Sequence, residues 1–387
     1  MHKTRATGSV GRQVDAESYQ LCLYCPSLCR HACPVATAAE TDTLSPQRLM
    51  SLADHVRARR VPPTPDVVKS LYGCAGCGAC TEACRHDNPV ALALVEARAA
   101  LCEAGESPLS AGQLRAPRLP DDHPFFEGLR PLSRYQPQAA VSLVPGHAAI
   151  AQRPDELMDL FAVCERLDVD ALACGELAHL DAGYDLWFAG HHGAFVEQAR
   201  RFVAATQGVT DIVVHSPETL YLLRHVYPRF GLHIACAVVH VSEFLLPVLS
   251  GAVVKRLPDR IGYHESCHLK RHLGMTEVPR QLVRRVIAGQ LIELPARADV
   301  TGCCGGSGLV PGGAVDGPGA LYRPTAERMA DAALEAAIDL GLDRLVSFSP
   351  ECVAALEGAR ARRGGSGPRV QHAVALVAEA VVADPLG

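Results

Sequence analysis

No uninterrupted apolar run in this chain is long enough to cross a bilayer. The nearest candidate, Leu232 to Val254, is broken by His240, Ser242, Glu243 and Pro247. Charge of one sign is not in excess either. The 37 basic and 42 acidic residues leave a formal charge of −5, with no polybasic footprint, so nucleic acid is not an expected partner. The N-terminal stretch MHKTRATGSVGRQVDAESYQ lacks the apolar centre of a secretion signal and reads as a polar tail over 1–18. A dinucleotide fingerprint is missing too. Gly302-Cys-Cys-Gly305-Gly306-Ser-Gly308 is glycine-rich, but it carries two cysteines and the wrong spacing.

What the chain does have is cysteine. Of 16 in 387 residues, eight fall in two tight runs, too close for unstrained pairing within a run. Secreted disulfide scaffolds spread their cysteines to staple loops. Clustered thiols without a secretion signal instead predict bound metal in a reducing compartment, and hence a cytoplasmic protein, associated with a membrane only through a partner.

The first run is Cys22-x2-Cys25-x3-Cys29-x3-Cys33-Pro34 and the second Cys74-x2-Cys77-x2-Cys80-x3-Cys84. Three closely spaced cysteines can wrap one cubane cluster while the fourth reaches a neighbouring one. On that logic Cys22, Cys25 and Cys29 hold one [4Fe–4S] cluster with Cys84, and Cys74, Cys77 and Cys80 hold a second with Cys33. Gly73, Gly76 and Gly78 keep the second loop slim enough for amide N–H groups to reach sulfur. The alternative is structural zinc, which more often uses short C-x2-C pairs than two runs of four. The first run has one residue more than the usual spacing, and Arg85 stands where a proline commonly follows the last cysteine.

Helices join the runs. Ser45-Pro46 begins one, with Leu49, Leu52 and Val56 along a face, and residues 61–65 (VPPTP) end it. Asp66 to Leu71 reads as a short turn. Asn88-Pro89 begins another helix, carrying Val90, Leu94 and Leu101 on one face and stopping at Gly105. Residues 19–105 therefore predict a helical two-cluster ferredoxin domain. Proline and charge then mark 106–136 as a linker wrapping the surface.

Beyond it, short β-like runs alternate with amphipathic helices, an α/β pattern with a mostly parallel sheet. The pattern repeats. Asp211-Ile-Val-Val-His-Ser-Pro-Glu-Thr219 aligns with Asp343-Arg-Leu-Val-Ser-Phe-Ser-Pro-Glu-Cys352, giving copy A at about 137–250 and copy B at 258–382. Copy B carries His264-Glu-Ser-Cys267-His268, then Cys303-Cys304-Gly305-Gly306, then Ser349-Pro-Glu-Cys352. Copy A offers only Cys174 where the paired cysteines would fall, His147 for the first and Thr219 for the last. Its Cys164, Cys174 and Cys236, like Cys102 in the first module, read as buried packing, and His191 and His192 as surface loop. His264 and His268 flank Cys267 as ligands or as hydrogen-bond donors to sulfur.

A helical two-cluster ferredoxin followed by tandem cysteine-rich (CCG) repeats resembles the B and C components of heterodisulfide reductase in one chain. It is also similar to the iron–sulfur subunits of glycolate oxidase and anaerobic glycerol-3-phosphate dehydrogenase. The likeness runs over about 19–382. It implies a pattern of a lone cysteine, a Cys-Cys-Gly and a final C-x2-C. Copy B matches at Cys267, Cys303, Cys304 and Cys352, which are expected to hold a third iron–sulfur centre, with Ser349 in place of the missing thiol and near that centre.

The resemblance implies an electron-transfer subunit that takes electrons from a flavoprotein dehydrogenase or other redox subunit and passes them to a quinone or soluble carrier. A catalytic reductase acting on a disulfide at the copy B centre is the second reading, and a zinc-stabilised scaffold the third.

Overall fold

The computed structural model describes residues 14–295, 302–307 and 320–381. Most of the polar tail, Thr301, Gly308 and residue 382 lie outside the described residues.

Among the described residues no strand precedes Val141, and the N-terminal part is helical throughout. Helix α1 (Ala16–Leu23) opens on a capping box in which Asp15 accepts from the Ser18 backbone N–H. Helix α2 (Pro46–Arg57) starts with proline at its first position and buries Leu49, Met50 and Ala53. The segment before the second cysteine run is not a turn but a helix, α3 (Pro65–Leu71). Thr64 precedes it in extended conformation, Pro65 has a preset φ, and Asp66 suits the first turn, but two turns are too short to display a period in sequence. Helix α4 (Val90–Glu103) places Leu94 and Leu101 inside, together with a charged residue, Arg98.

The linker is not a surface wrap. Phe125, Phe126 and Leu129, on a short helix at Pro124–Leu129, are buried against the α/β core, and Arg134 to Gln136 extend the first sheet beside Cys174. Proline and charge dominate this segment's composition, but its few aromatic residues decide where it sits.

Two four-stranded parallel sheets follow. The first comprises β1 (Val141–Val144), β2 (Leu172–Cys174), β3 (Asp211–Val214) and β4 (Ala237–His240) in the order β2-β1-β3-β4. The second comprises β5 (Ile261–Tyr263), β6 (Ile292–Glu293), β7 (Arg344–Ser347) and β8 (Arg369–His372) in the order β6-β5-β7-β8. Both sheets thus carry the same order. Helices cover them, including α5 (Pro154–Arg166), α6 (His192–Ala205), α7 (Pro217–Tyr221), α8 (Arg323–Asp339) and α9 (Pro350–Arg362). His191 and His192 begin α6 and are half-buried, His191 Nε2 meeting the Leu109 carbonyl at 2.7 Å. They are not surface loop residues. Cys102 is only half-buried and donates to the Ala189 carbonyl, and Cys236 is half-buried as well, whereas Cys164 and Cys174 are core residues.

Candidate iron–sulfur centres

In the helical module the cysteines form two neighbouring groups. Cys22 lies among Cys25, Cys29 and Cys84. Cys33, Cys74, Cys77 and Cys80 line a single cavity walled by Leu44, Leu49, Val90 and Leu94. Burial above all pushes Cys22 and Cys33 up to about 12 and Cys29 to about 11. Thiols so placed stay protonated unless a cation draws the proton off, and iron would supply that cation. The donor set, four soft sulfurs per group and in the second group an apolar cavity, fits an iron–sulfur cluster.

Polar groups aim at these sulfurs. Asn88 Nδ2 donates to Cys22 Sγ at 3.1 Å, the Gly76 amide to Cys74 Sγ at 3.3 Å, and the Ala36 amide to Cys33 Sγ at 3.5 Å. Gly76 has φ +68, and a Cβ there would fall 2.5 Å from the Phe188 ring, so glycine alone fits the turn. Two buried arginines add positive charge. Arg98 donates to the carbonyls of Leu71, Phe188 and Cys74 at 3.0–3.1 Å and stacks over the Phe188 ring. Arg271 reaches the Cys77 carbonyl at 3.3 Å and pairs with Glu82 at 2.8 Å. Asn88 reads in sequence only as a helix start. The signal for Arg98 was a lone charge on the apolar face of α4.

At the second sheet the C-terminal ends of the parallel strands gather four of the remaining eight cysteines, as such folds do with ligands. Cys267 follows β5 and Cys352 lies in the first turn of α9, just after β7. Buried Cys77 and Cys267 lie in one contact group, with half-buried Cys303 packed against it. The Cys77 thiol is held well above its ordinary range, first by the neighbouring Cys303 and then by burial. On the other side Cys304 meets Cys352 and His264, and ligand atoms of these three lie within 4.8 Å of one another. Cys352 draws the Cys304 thiol well below its usual range, with His264 and the Gly306 amide adding to the effect. The four cysteines therefore form a connected patch in which Cys303 faces Cys267 and Cys304 faces Cys352, with His264 as a neighbour. A Cβ on Gly306 would lie 2.6 Å from the Glu351 carbonyl, which is why the loop after the paired cysteines is glycine.

Ser349 does not turn towards sulfur. Its hydroxyl caps α9, accepting from the Cys352 amide at 3.2 Å and donating to Glu351 at 2.9 Å. Half-buried Glu351 lies beside its buried counterpart Glu218. Ser216 bonds both carboxyls, and Ser307 and His268 bond Glu218. Desolvation and the neighbouring Glu218 push the Glu351 carboxyl well above its usual range. Glu218 is held at about 2 because His268 and these hydrogen bonds outweigh its burial. His268 Nε2 in turn meets Tyr184 Oη at 2.9 Å, and its Nδ1 lies 3.7 Å from Cys267 Sγ. A cavity of about 280 Å³ opens onto Cys267 and Cys303, with Lys270, Arg271 and Arg328 on its wall.

The first sheet offers no comparable set among the described residues. Cys174 is fully buried in β2, with burial raising its thiol, and His147 bonds the His179 carbonyl at 3.0 Å. Among the described residues no helix is long and apolar enough to cross a membrane.

Comparison with known proteins agrees with this layout. The 4Fe-4S dicluster domain family matches residues 18–88 and the Cysteine-rich domain (CCG) family matches 261–357. Over 382 residues the chain is 24% identical to a component of the fumarate reductase (CoM/CoB) of Methanothermobacter marburgensis, covering 94% of this chain and 72% of that protein. It is 27% identical to a probable membrane-anchored ferredoxin of Chromohalobacter salexigens, of which it spans about half, 48%. A component of the dihydromethanophenazine:CoB–CoM heterodisulfide reductase of Methanosarcina acetivorans is 23% identical over 306 residues, covering 73% of this chain and 71% of the relative. The chain thus matches a 4Fe-4S dicluster domain followed by a cysteine-rich domain of the CCG kind, and its relatives include components of a heterodisulfide reductase and of a fumarate reductase.

Proposed function

We propose that this protein is the electron-transfer subunit of a redox complex, with two [4Fe–4S] clusters in the helical domain (19–105) and a third iron–sulfur centre in the second of two tandem CCG units (258–382). The first of those units, about 137–250, is scaffold. Cys22, Cys25, Cys29 and Cys84 are the ligands of one cluster, Cys33, Cys74, Cys77 and Cys80 of the next, and Cys267, Cys303, Cys304 and Cys352 of the third centre. Such clusters supply one-electron redox chemistry. The chain's own part is to hold the three in series and to set their potentials through amides and buried arginines.

The observation that carries this reading is the contact of the buried Cys77 and Cys267 with the half-buried Cys303, which leaves no layer of protein between the helical domain's second thiol group and the CCG thiols. The partner is a flavoprotein dehydrogenase or comparable subunit, and the acceptor a quinone or soluble carrier.

One observation favours a catalytic alternative, in which the third centre reduces a disulfide. The 280 Å³ cavity gives a substrate room beside Cys267 and Cys303.

Anaerobically purified protein should contain iron and acid-labile sulfide at about eight or more of each per chain, from two cubanes or more. It should take up about one electron per cluster from dithionite. Stoichiometric zinc with little iron would overturn both readings. Turnover of a disulfide by the isolated chain would replace the relay with the reductase.

A further inference from the structure

A second group of ligand-type side chains lies apart from the cysteines. Glu156 comes from α5, His215 from the turn after β3, and His372 from the end of β8. One nitrogen of each imidazole and one Glu156 oxygen lie within 4.8 Å of one another. The two rings are 4.1 Å apart between centroids, and both histidine side chains have no exposure at all. The group therefore bridges the two sheets, at the strand ends where they meet.

Its polar atoms are left over. Neither nitrogen of His215 has a partner, and neither has Nε2 of His372 nor Oε2 of Glu156. The other Glu156 oxygen is committed, taking Arg153 Nε at 2.7 Å and the His372 backbone N–H at 3.1 Å. Each buried polar atom without a partner costs about 1–3 kcal/mol, and folded proteins keep few of them. Three side chains that each keep an unpartnered polar atom and bring a ligand-type atom to one place describe a ligand. Two imidazoles and a carboxylate suit a borderline divalent metal, zinc foremost, rather than calcium or magnesium, which prefer oxygen throughout.

The second sheet shows what the same place looks like without that chemistry. The residue after β7, in the position His215 holds after β3, is Phe348, and His240 packs edge-on to it at 5.9 Å. An apolar ring fills the space on that side, whereas on the His215 side the ring carries donors and faces a carboxylate.

We propose that Glu156, His215 and His372 form a divalent zinc-type site that staples the two α/β units together, independent of the iron–sulfur centres. Three protein ligands leave the fourth position to water. Ligation through His372 Nε2 places that ring's hydrogen on Nδ1, giving up the long 3.3 Å contact from the Val374 amide.

The test uses the iron-loaded full chain, equilibrated with zinc and then freed of excess. Bound zinc and iron are measured together, and the zinc shell is read by X-ray absorption. The site requires about one zinc per chain in a shell of nitrogen and oxygen only. His215→Phe, which copies the ring found after β7, and Glu156→Gln should each lose that zinc while keeping wild-type iron content and cluster EPR. If His215→Phe also loses iron, its fold has failed and Glu156→Gln decides. Wild-type protein without zinc, a shell containing sulfur, or zinc retained by a variant that keeps its iron would overturn the proposal.

Discussion

The thiol of buried Cys77 meets that of half-buried Cys303, although one belongs to the helical module and the other to the glycine-flanked loop of the second sheet. Around them the two parts are locked together. Arg271 spans from Glu82 to the Cys77 and Gly302 carbonyls, and His272 Nε2 lies 2.7 Å from the Gly76 carbonyl. The junction is thus built from polar groups that have few alternatives, and this fixes the separation of the sulfurs on either side.

Cys84 sits with Cys22, Cys25 and Cys29 although it ends the other run. Cys84→Ser should therefore damage the cluster of the first run and leave the Cys74, Cys77 and Cys80 cluster in place. EPR of the reduced variant reads this directly. Damage confined to the second cluster would contradict crossed ligation.

Arg98→Met tests the buried guanidinium. It strands three carbonyls, those of Leu71, Phe188 and Cys74. At about 1–3 kcal/mol for each unpaired buried group the protein should lose about 3 kcal/mol or more, seen as a fall in thermal midpoint. Loss of a positive charge beside Cys74 should also lower the potential of its cluster, because the reduced state carries more negative charge. A redox titration that leaves this potential unchanged would remove Arg98 from the tuning role.

Phe126→Ala tests whether the segment between the modules is part of the core. Phe126 has no exposed surface and lies against Tyr135 and His179. Truncating a buried phenylalanine costs about 3–5 kcal/mol. A loss below about 1 kcal/mol in urea unfolding would return this segment to the surface.

Sequence reading reached the helical character of the first module and the parallel α/β pattern of the rest, because cysteine spacing, Ser45-Pro46 and the two Ser-Pro-Glu turns are local signals. It missed what depends on distant partners. Phe126 looks like one aromatic in a polar stretch until the first sheet is in place. Ser349 aligns with a lost ligand, but as the residue before Pro350 it is first of all a helix cap. Arg98 reads as a helix former, and only the meeting of α4 with Cys74 and Phe188 gives it work. His215 matches Phe348 in sequence, and the difference matters only where His372 and Glu156 come together.

The most direct measurement of the relay is EPR of the anaerobically purified, dithionite-reduced chain, compared with Cys303→Ala. Clusters in series through the Cys77–Cys303 contact predict signals broadened and split by spin–spin interaction, with part of that splitting lost in the variant while the two helical-domain clusters remain. Reduced protein giving isolated, unsplit cluster signals identical in both, or no cluster signal at all, would contradict the account.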